Sequence, residues 1–373
     1  MKIGIDISQI VYGTGVSEYT KSLVKTLLEI DKENEYILFG SSLRQQPIFS
    51  KYHDTVHGNY SLRTYSFPPL VLEWLWNRLH IISIEKLTGK IDLFHTSDWL
   101  EPPAKCPKVT TIHDLTVFKY PEAFAPKGGH NILTNVEKKL QWVKKESAAV
   151  IAVSNSTKRD IIEFLKIPEE KIKVIYEAAS EKFQRTTEDK STQVKKKYKI
   201  EGEYLLSVST LEPRKNLKRI IESFKILRQK ERDLVLVLVG KYGWGNEKMS
   251  NVKCQMSNVK ILGYIEKEDL AGLYSGAKAF IYPSLYEGFG LPILEAMSCG
   301  CPVVTSNVSS MPEVAGEAAV LINPLSVESI TEGIKIALKN RRDLIKKGYD
   351  QVKKFSWEKC AQETLKVYEE VVE

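Results

Sequence analysis

The chain has 373 residues, 43% of them apolar and 27% charged, and a net charge of +7. At roughly 150 residues per domain this length suggests two domains, and the ordinary composition excludes wholesale disorder, a fibrous repeat and a membrane-embedded bundle. A clean apolar run such as Leu234 to Val239, which none exceeds in length, is far short of the ~20 residues a membrane-spanning helix needs; Asp6 interrupts any leader-like start, and five cysteines with no C-x-x-C pair fit a reducing cytoplasm.

Taken in chain order, Lys2 to Asp6 reads as a short buried strand, followed by the loop Tyr12-Gly13-Thr14-Gly15. Tyr19, Leu23, Leu27 and Ile30 then recur at helical spacing from Val16 to Ile30. Glu35 to Gly40, Ile91 to His95, Lys108 to Ile112 and Ala148 to Val153 read as further strands, and Ser154-Asn155-Ser156 caps a helix to about Leu165. Between Ser180 and Lys199 the pattern weakens into polar residues and the run Lys195-Lys196-Lys197, which reads as a linker.

A second series follows. Tyr204 to Val208, Leu234 to Val239, Lys260 to Leu262, Ala279 to Tyr282, Pro302 to Thr305 and Ala319 to Leu321 read as strands with helices between them. The last helix runs from Trp357 to Val372 behind a Ser356 cap. Alternating strands and helices predict an α/β fold of two doubly wound parallel sheets, with ligands at the carboxyl ends of the strands. The net charge is +2 over residues 1–180 and +5 over the remainder. A mild basic excess suits nucleic acid, anionic lipid or a phosphorylated small molecule.

The stretch Glu287-Gly288-Phe289-Gly290-Leu291-Pro292-Ile293-Leu294-Glu295 is the most informative. Its glycines let backbone N–H groups approach a ligand closely, and Pro292 fits the first turn of a helix. Such a loop feeding a helix N-terminus binds anions. Glu287 and Glu295 add acceptors for hydroxyls, so a phosphorylated polyol satisfies both halves. In Ser209-Thr210-Leu211-Glu212-Pro213-Arg214-Lys215-Asn216, two cations stand where a helix begins. Cations there oppose the helix dipole, which favours a role in clamping a diphosphate. Gly13-Thr14-Gly15 is a weak fragment of a dinucleotide fingerprint, because Glu18 replaces its third glycine. His113, after Thr111-Ile112, ends a strand and suits contact with a reacting sugar; His95 ends another strand and is the runner-up. The histidines make no metal-ligand spacing, and no two aspartates are separated by a single residue. The chemistry therefore reads as metal-independent, with protein cations neutralising the leaving group.

In combination these motifs resemble the family 4 retaining glycosyltransferases of GT-B architecture, in a mannosyltransferase-like subgroup. Glu287 to Glu295 is similar to the family's E-x7-E signature. Glu212 to Asn216, Gly240 to Gly245, Met311 to Gly316, His113-Asp114-Leu115 and Ala152 to Ser156 look like further pieces in the family's order. The resemblance implies two Rossmann-like domains facing across a cleft: an acceptor-binding domain at 1–180 and a nucleotide-sugar-binding domain at 181–356. It also implies that the helix 357–373 packs back on the first. Carried over by position, Arg214 and Lys215 hold the donor diphosphate and Glu295 the ribose. Glu287 holds sugar hydroxyls, and Gly288, Phe289, Gly290 and Leu291 offer backbone N–H groups. His113 faces the transferred sugar, Gly13 and Gly15 close over the phosphates, and Tyr264 meets the base. Ser209 stands where many relatives carry glycine, and Thr210 where they often carry arginine.

The resemblance implies no cofactor beyond the nucleotide-sugar co-substrate. GDP-mannose is the expected donor, with a UDP-sugar as the alternative, and the acceptor is a glycan or lipid-linked saccharide. The apolar stretch Leu70, Val71, Leu72, Trp74, Leu75, Trp76 and Leu79 reads either as a core helix or as a contact with the inner face of the membrane. A sugar phosphorylase or epimerase, and a nucleotide-sugar-binding subunit without turnover, are the competing readings. Nucleic acid is the weakest, because the basic residues show no aromatic interleaving.

Overall fold

The computed structural model describes residues 1–97, 99–124, 132–243 and 258–373. They form two compact units, Met1–Glu177 with Ser356–Glu373, and Ala178–Phe355.

The first unit has seven strands: β1 Lys2–Asp6, β2 Glu35–Ser41, β3 Tyr60–Tyr65, β4 Leu93–Ser97, β5 Lys108–Ile112, β6 Ser147–Ala152 and β7 Ile172–Val174. All pair in parallel, in the order β3-β2-β1-β4-β5-β6-β7. The second unit has β8 Tyr204–Val208, β9 Val235–Val239, β10 Val259–Ile261, β11 Ala279–Tyr282, β12 Val303–Ser306 and β13 Ala319–Ile322. These are also parallel, in the order β10-β9-β8-β11-β12-β13. In each sheet the chain starts in the middle, winds outward, and then crosses to the other side. The order therefore reverses between β1 and β4 and between β8 and β11, where a crevice opens at the strands' carboxyl ends.

Helices cover both faces of the sheets, so the central strands are near-continuous apolar runs. In β2, Tyr36 and Leu38 join one core with the helix Gly15–Ile30, while Ile37 and Phe39 face another built on Leu72, Trp76 and Phe94. This is the period-two alternation of a strand.

The terminal helix Trp357–Val372 belongs to the first unit. Ser356 caps it by accepting from the Lys359 N–H at 3.1 Å. Its inner face packs on the helix Gly15–Ile30. There the Tyr368 hydroxyl lies 2.6 Å from His95 Nδ1, and His95 Nε2 lies 2.8 Å from Thr111 Oγ1. Burial, aided by the nearby His113, pushes the His95 ring down to about 3. His95, the runner-up for a sugar contact, is thus a neutral buried strut.

Three further expectations change. The proposed linker contains a helix, Glu188–Lys197, capped by Thr187 and packed on the helix Lys267–Gly276. Only Ser191 and Val194 are buried there, so its apolar period is too sparse to read. The lysine run sits in its last turn, where cations suit the dipole. Strands β3 and β7 are additional: β3 is an edge strand with exposed Arg63 and Thr64, and β7 has three residues. The apolar stretch near residue 75 is a short helix Pro69–Leu72 running into a π-helical turn Glu73–Arg78. Leu72 and Trp76 enter the core, whereas Leu70, Val71, Trp74 and Leu79 are exposed. No helix among the described residues is long and apolar enough to cross a membrane.

Replacing Tyr368 with Phe strands His95 Nδ1 in the core. Chemical denaturation should show a loss of about 1–3 kcal/mol, the range for an unsatisfied buried polar group; an unchanged midpoint would contradict the strut role.

Candidate active site

In the second unit the loops after β8 and β11 emerge side by side at the reversal of strand order. The Ser209 N–H donates to the Val239 carbonyl at 2.9 Å. Gly240, at φ +147°, passes so close that a Cβ there would lie 1.8 Å from the Ser209 carbonyl oxygen, so only glycine fits. The chain then makes a 3-10 turn, Pro213–Lys215, closed by Asn216 in the left-handed region. Asn216 Nδ2 donates to the carbonyls of Pro283 at 3.0 Å and Pro324 at 2.6 Å. The Leu285 N–H donates to the Arg214 carbonyl at 2.9 Å. These bonds stitch the two loops together before any ligand arrives.

Glu287 lies at the centre. Lys215 Nζ donates to its Oε1 at 2.5 Å, and Arg214 Nη1 donates to its Oε2 at 3.0 Å. Arg214 Nη1 also donates to the Tyr286 carbonyl at 2.6 Å, while Nε and Nη2 both reach Glu212 Oε1, at 3.0 and 2.7 Å. Lys215 also donates to the Tyr282 hydroxyl at 3.2 Å. The side chains of Arg214, Lys215 and Glu287 are only 12%, 10% and 9% exposed. Burial alone would raise the Glu287 carboxyl, but the charges of Lys215 and Arg214 outweigh it and hold it at about 2. Burial pushes Lys215 down against the pull of Glu287. The expectation treated Arg214 and Lys215 as diphosphate ligands and Glu287 as a separate hydroxyl ligand. In the structure the three form one ionic cluster, and at least four of Arg214's five N–H groups serve the protein itself.

Ser309 and Ser310 fix the loop that follows. Ser309 Oγ donates to the Glu287 carbonyl at 2.6 Å and accepts from the Glu287 N–H at 3.2 Å. Ser310 Oγ lies 3.0 Å from the Glu287 carbonyl and 2.7 Å from that of Phe289. Ser309 adopts φ +58°, a costly value outside glycine that its two bonds sustain. Sequence reasoning missed both serines as site residues, since their role rests on a contact 22 residues back along the chain. Gly288 and Phe289 are buried, and Gly290 adopts φ +106°. Gly290 turns the chain into the helix Leu291–Ser298, which carries Pro292 in its first turn. Glu295 is half-buried on that helix, with the Tyr274 hydroxyl donating to its Oε2 at 3.2 Å. Tyr264 stands apart beyond β10, 57% exposed, with the Lys241 ammonium 4.8 Å from its ring centroid. Trp244 and Gly245 lie outside the described residues.

In the first unit His113 follows β5. Its Nε2 lies 3.0 Å from Ser97 Oγ, its Nδ1 lies 3.2 Å from Glu177 Oε1, and Tyr19 meets it edge-on at 4.6 Å. Glu177 was not legible in the sequence, being 64 residues away and outside any motif. Gly13 ends a 3-10 turn at φ +63°, and Thr14 caps the next helix through a reciprocal pair with Ser17. A Cβ on Gly13 or Gly15 would meet nothing within 4 Å, so both border open space.

Two parallel sheets, each with a reversal of strand order, thus carry a cation–carboxylate cluster at one reversal. The comparisons give the family. The model for Glycosyltransferase Family 4 matches residues 13–180, and that for Glycosyl transferases group 1 matches residues 188–351. O-antigen chain mannosyltransferase B of Escherichia coli is 32% identical over 371 residues, covering 95% of this chain and 96% of that protein. Sucrose-phosphate synthase of Thermosynechococcus elongatus superposes with a TM-score of 0.74 at 20% identity, over 99% of this chain and 98% of that one. HepE of Anabaena, solved with UDP and glucose, gives 0.75 at 18% identity, over 99% and 100%. The chain belongs to the family 4, group 1 glycosyltransferases.

The Glu287 carboxyl falls from its ordinary 4.5 to about 2 in the folded chain. A lowered carboxyl contributes stability that is complete above the unfolded value and is lost as pH falls through the folded one. Wild type should therefore lose stability between about pH 4.5 and 2 more steeply than Glu287→Gln, read by denaturant titration at each pH. Parallel curves would contradict the assigned charge state.

Proposed function

We propose that this glycosyltransferase transfers mannose from GDP-mannose, with retention of configuration and without a metal ion, to a glycan or lipid-linked saccharide. The observation that carries this reading is the Lys215–Glu287–Arg214 cluster at the β8/β11 reversal. Lys215 meets the diphosphate: its ammonium has three donors, of which Glu287 and Tyr282 take two among the described residues. Arg214, committed to Glu212, Glu287 and the Tyr286 carbonyl, adds positive charge and fixes Glu287. Together they stabilise the charge that develops on the leaving nucleoside diphosphate, and no reorganisation is needed at the moment of reaction. Glu287 remains an anion that orients the cations and accepts from sugar hydroxyls.

The backbone N–H groups at Gly288 to Leu291 serve the sugar and phosphate, Glu295 the ribose, Ser209 the phosphate side of the β8 loop, and Tyr264 the base. His113, held by Ser97 and Glu177, faces the transferred sugar, with Gly13 and Gly15 bordering the phosphates. The choice of mannose is supported by the likeness to a protein named as an O-antigen chain mannosyltransferase. The exposed Leu70, Trp74, Leu79, Ile81 and Ile82 support peripheral contact with a membrane surface.

Lys215→Ala and Arg214→Ala should each lower kcat by about 10²-fold or more, the scale for removing a preorganised charge partner. Near-normal turnover would overturn the assignment. A thermal-shift screen against GDP, UDP, ADP, TDP and their sugars tests the donor, since a ligand of the native state raises its stability by mass action. GDP and GDP-mannose should give the largest shifts; a larger shift with UDP-sugars would replace the donor assignment.

A further inference from the structure

His113 has a protein partner on each ring nitrogen, and the two partners differ in kind. Ser97 closes β4 and brings its hydroxyl to 3.0 Å from Nε2. Glu177 follows β7 and brings Oε1 to 3.2 Å from Nδ1. In the sheet β5 has β4 on one side and β6 and β7 on the other, so the ring is gripped from both directions at the strands' carboxyl ends. The side chains of His113 and Glu177 are 14% and 5% exposed, and Ser97 is buried. Buried Tyr19 meets the ring with the two planes 81° apart, and its own hydroxyl lies 3.2 Å from Thr111 Oγ1. The ring's plane is thus fixed along with its two nitrogens.

A carboxylate oxygen only accepts, so the nitrogen facing Glu177 carries the hydrogen. The lone pair of the neutral ring then lies on Nε2. A serine hydroxyl either donates or accepts, and against a lone pair it donates. The bonds therefore run one way, from Ser97 through the ring to Glu177. The opposite tautomer would set the Nδ1 lone pair against the carboxylate in a site that screens poorly. His95 shows the contrast. Its two partners, Tyr368 and Thr111, are both hydroxyls, and hydroxyls suit either tautomer.

We infer that Glu177 is a positioning residue that keeps the His113 proton on Nδ1, so that the ring meets substrate as a hydrogen-bond acceptor. Ser97 is the partner that can yield, because its hydroxyl turns about a single bond. Once it turns aside, Nε2 takes a hydroxyl of the sugar. A carboxylate or phosphate oxygen, which needs a donor, meets a lone pair instead. The sugar contact rests on the transfer reading above; the placing of the proton does not.

The test is nitrogen-15 NMR of the full chain, labelled on histidine, at about pH 8, above the ordinary histidine range. His113→Ala assigns the His113 signals. The wild-type ring should carry its hydrogen on Nδ1, and Ser97→Ala should keep it there. Glu177→Leu has similar bulk and no acceptor. It should move the hydrogen to Nε2, where the Ser97 oxygen can accept it, and lower kcat by about tenfold or more; a wrong tautomer costs a general-base histidine up to about 10⁴-fold. In a His113→Ala background Glu177→Leu should lower kcat no further, since it acts through the ring. A hydrogen on Nε2 of the wild-type ring overturns the inference, and that reading stands even if Glu177→Leu fails to fold. A hydrogen that stays on Nδ1 in Glu177→Leu also overturns it, as does a further loss in the His113→Ala background. So does turnover that His113→Ala lowers and Glu177→Leu leaves unchanged. If the hydrogen moves as expected but His113→Ala turns over normally, the sugar contact in the proposed function fails and the placing of the proton stands.

Discussion

Glu287 is a carboxylate buried between two cations, and the geometry of the second unit's site depends on it. Withdrawing a charge from water costs several kcal/mol, and only close, well-aligned partners offset that. Lys215 and Arg214 reach it from the β8 loop, while Glu287 itself comes from the β11 loop. The two loops can form this cluster because β8 and β11 are neighbours in the sheet although two strands separate them along the chain. Asn216 ties the same loops through the Pro283 and Pro324 carbonyls, and Ser309 and Ser310 lock the Glu287 backbone from a third loop. The Lys215 ammonium is thereby held still by a carboxylate from the neighbouring loop.

The first unit solves a different problem with the same topology. Its strand order also reverses, between β1 and β4, and the described lining of a cavity there is hydroxyls, an amide, carboxylates and apolar side chains. His113 is placed by Ser97 and Glu177, and the terminal helix locks the sheet beneath it through Tyr368, His95 and Thr111. One unit thus pairs two cations with two carboxylates at a reversal of strand order, whereas the described cavity lining of the other carries carboxylates and no cation.

Much of this was legible in the sequence because the signals are local. Parallel strands buried on both faces are apolar runs, and Leu234 to Val239 announces itself. The first-turn Pro292 follows from residue chemistry alone. What stayed hidden was contact at long range. Nothing in the string says that Arg214 spends itself on Glu212 and Glu287, that Glu177 holds His113, or that Ser309 adopts a left-handed backbone for the sake of Glu287. The helix Glu188–Lys197 was hidden for another reason: with two buried residues it carries almost no period. The stretch around Trp74 and Trp76 was ambiguous because it belongs to both readings, one tryptophan in the core and the other at the surface.

The central claim is that Glu287 and Lys215 form one buried unit. A double-mutant cycle on Lys215→Met and Glu287→Leu, read by denaturant unfolding, tests it most directly. Each single variant removes one partner from a buried charge and should cost about 3–5 kcal/mol. The double variant should cost less than the sum by well over about 1 kcal/mol, the mark of residues in contact. Costs that add within about 0.5 kcal/mol would mean that the two side chains act independently.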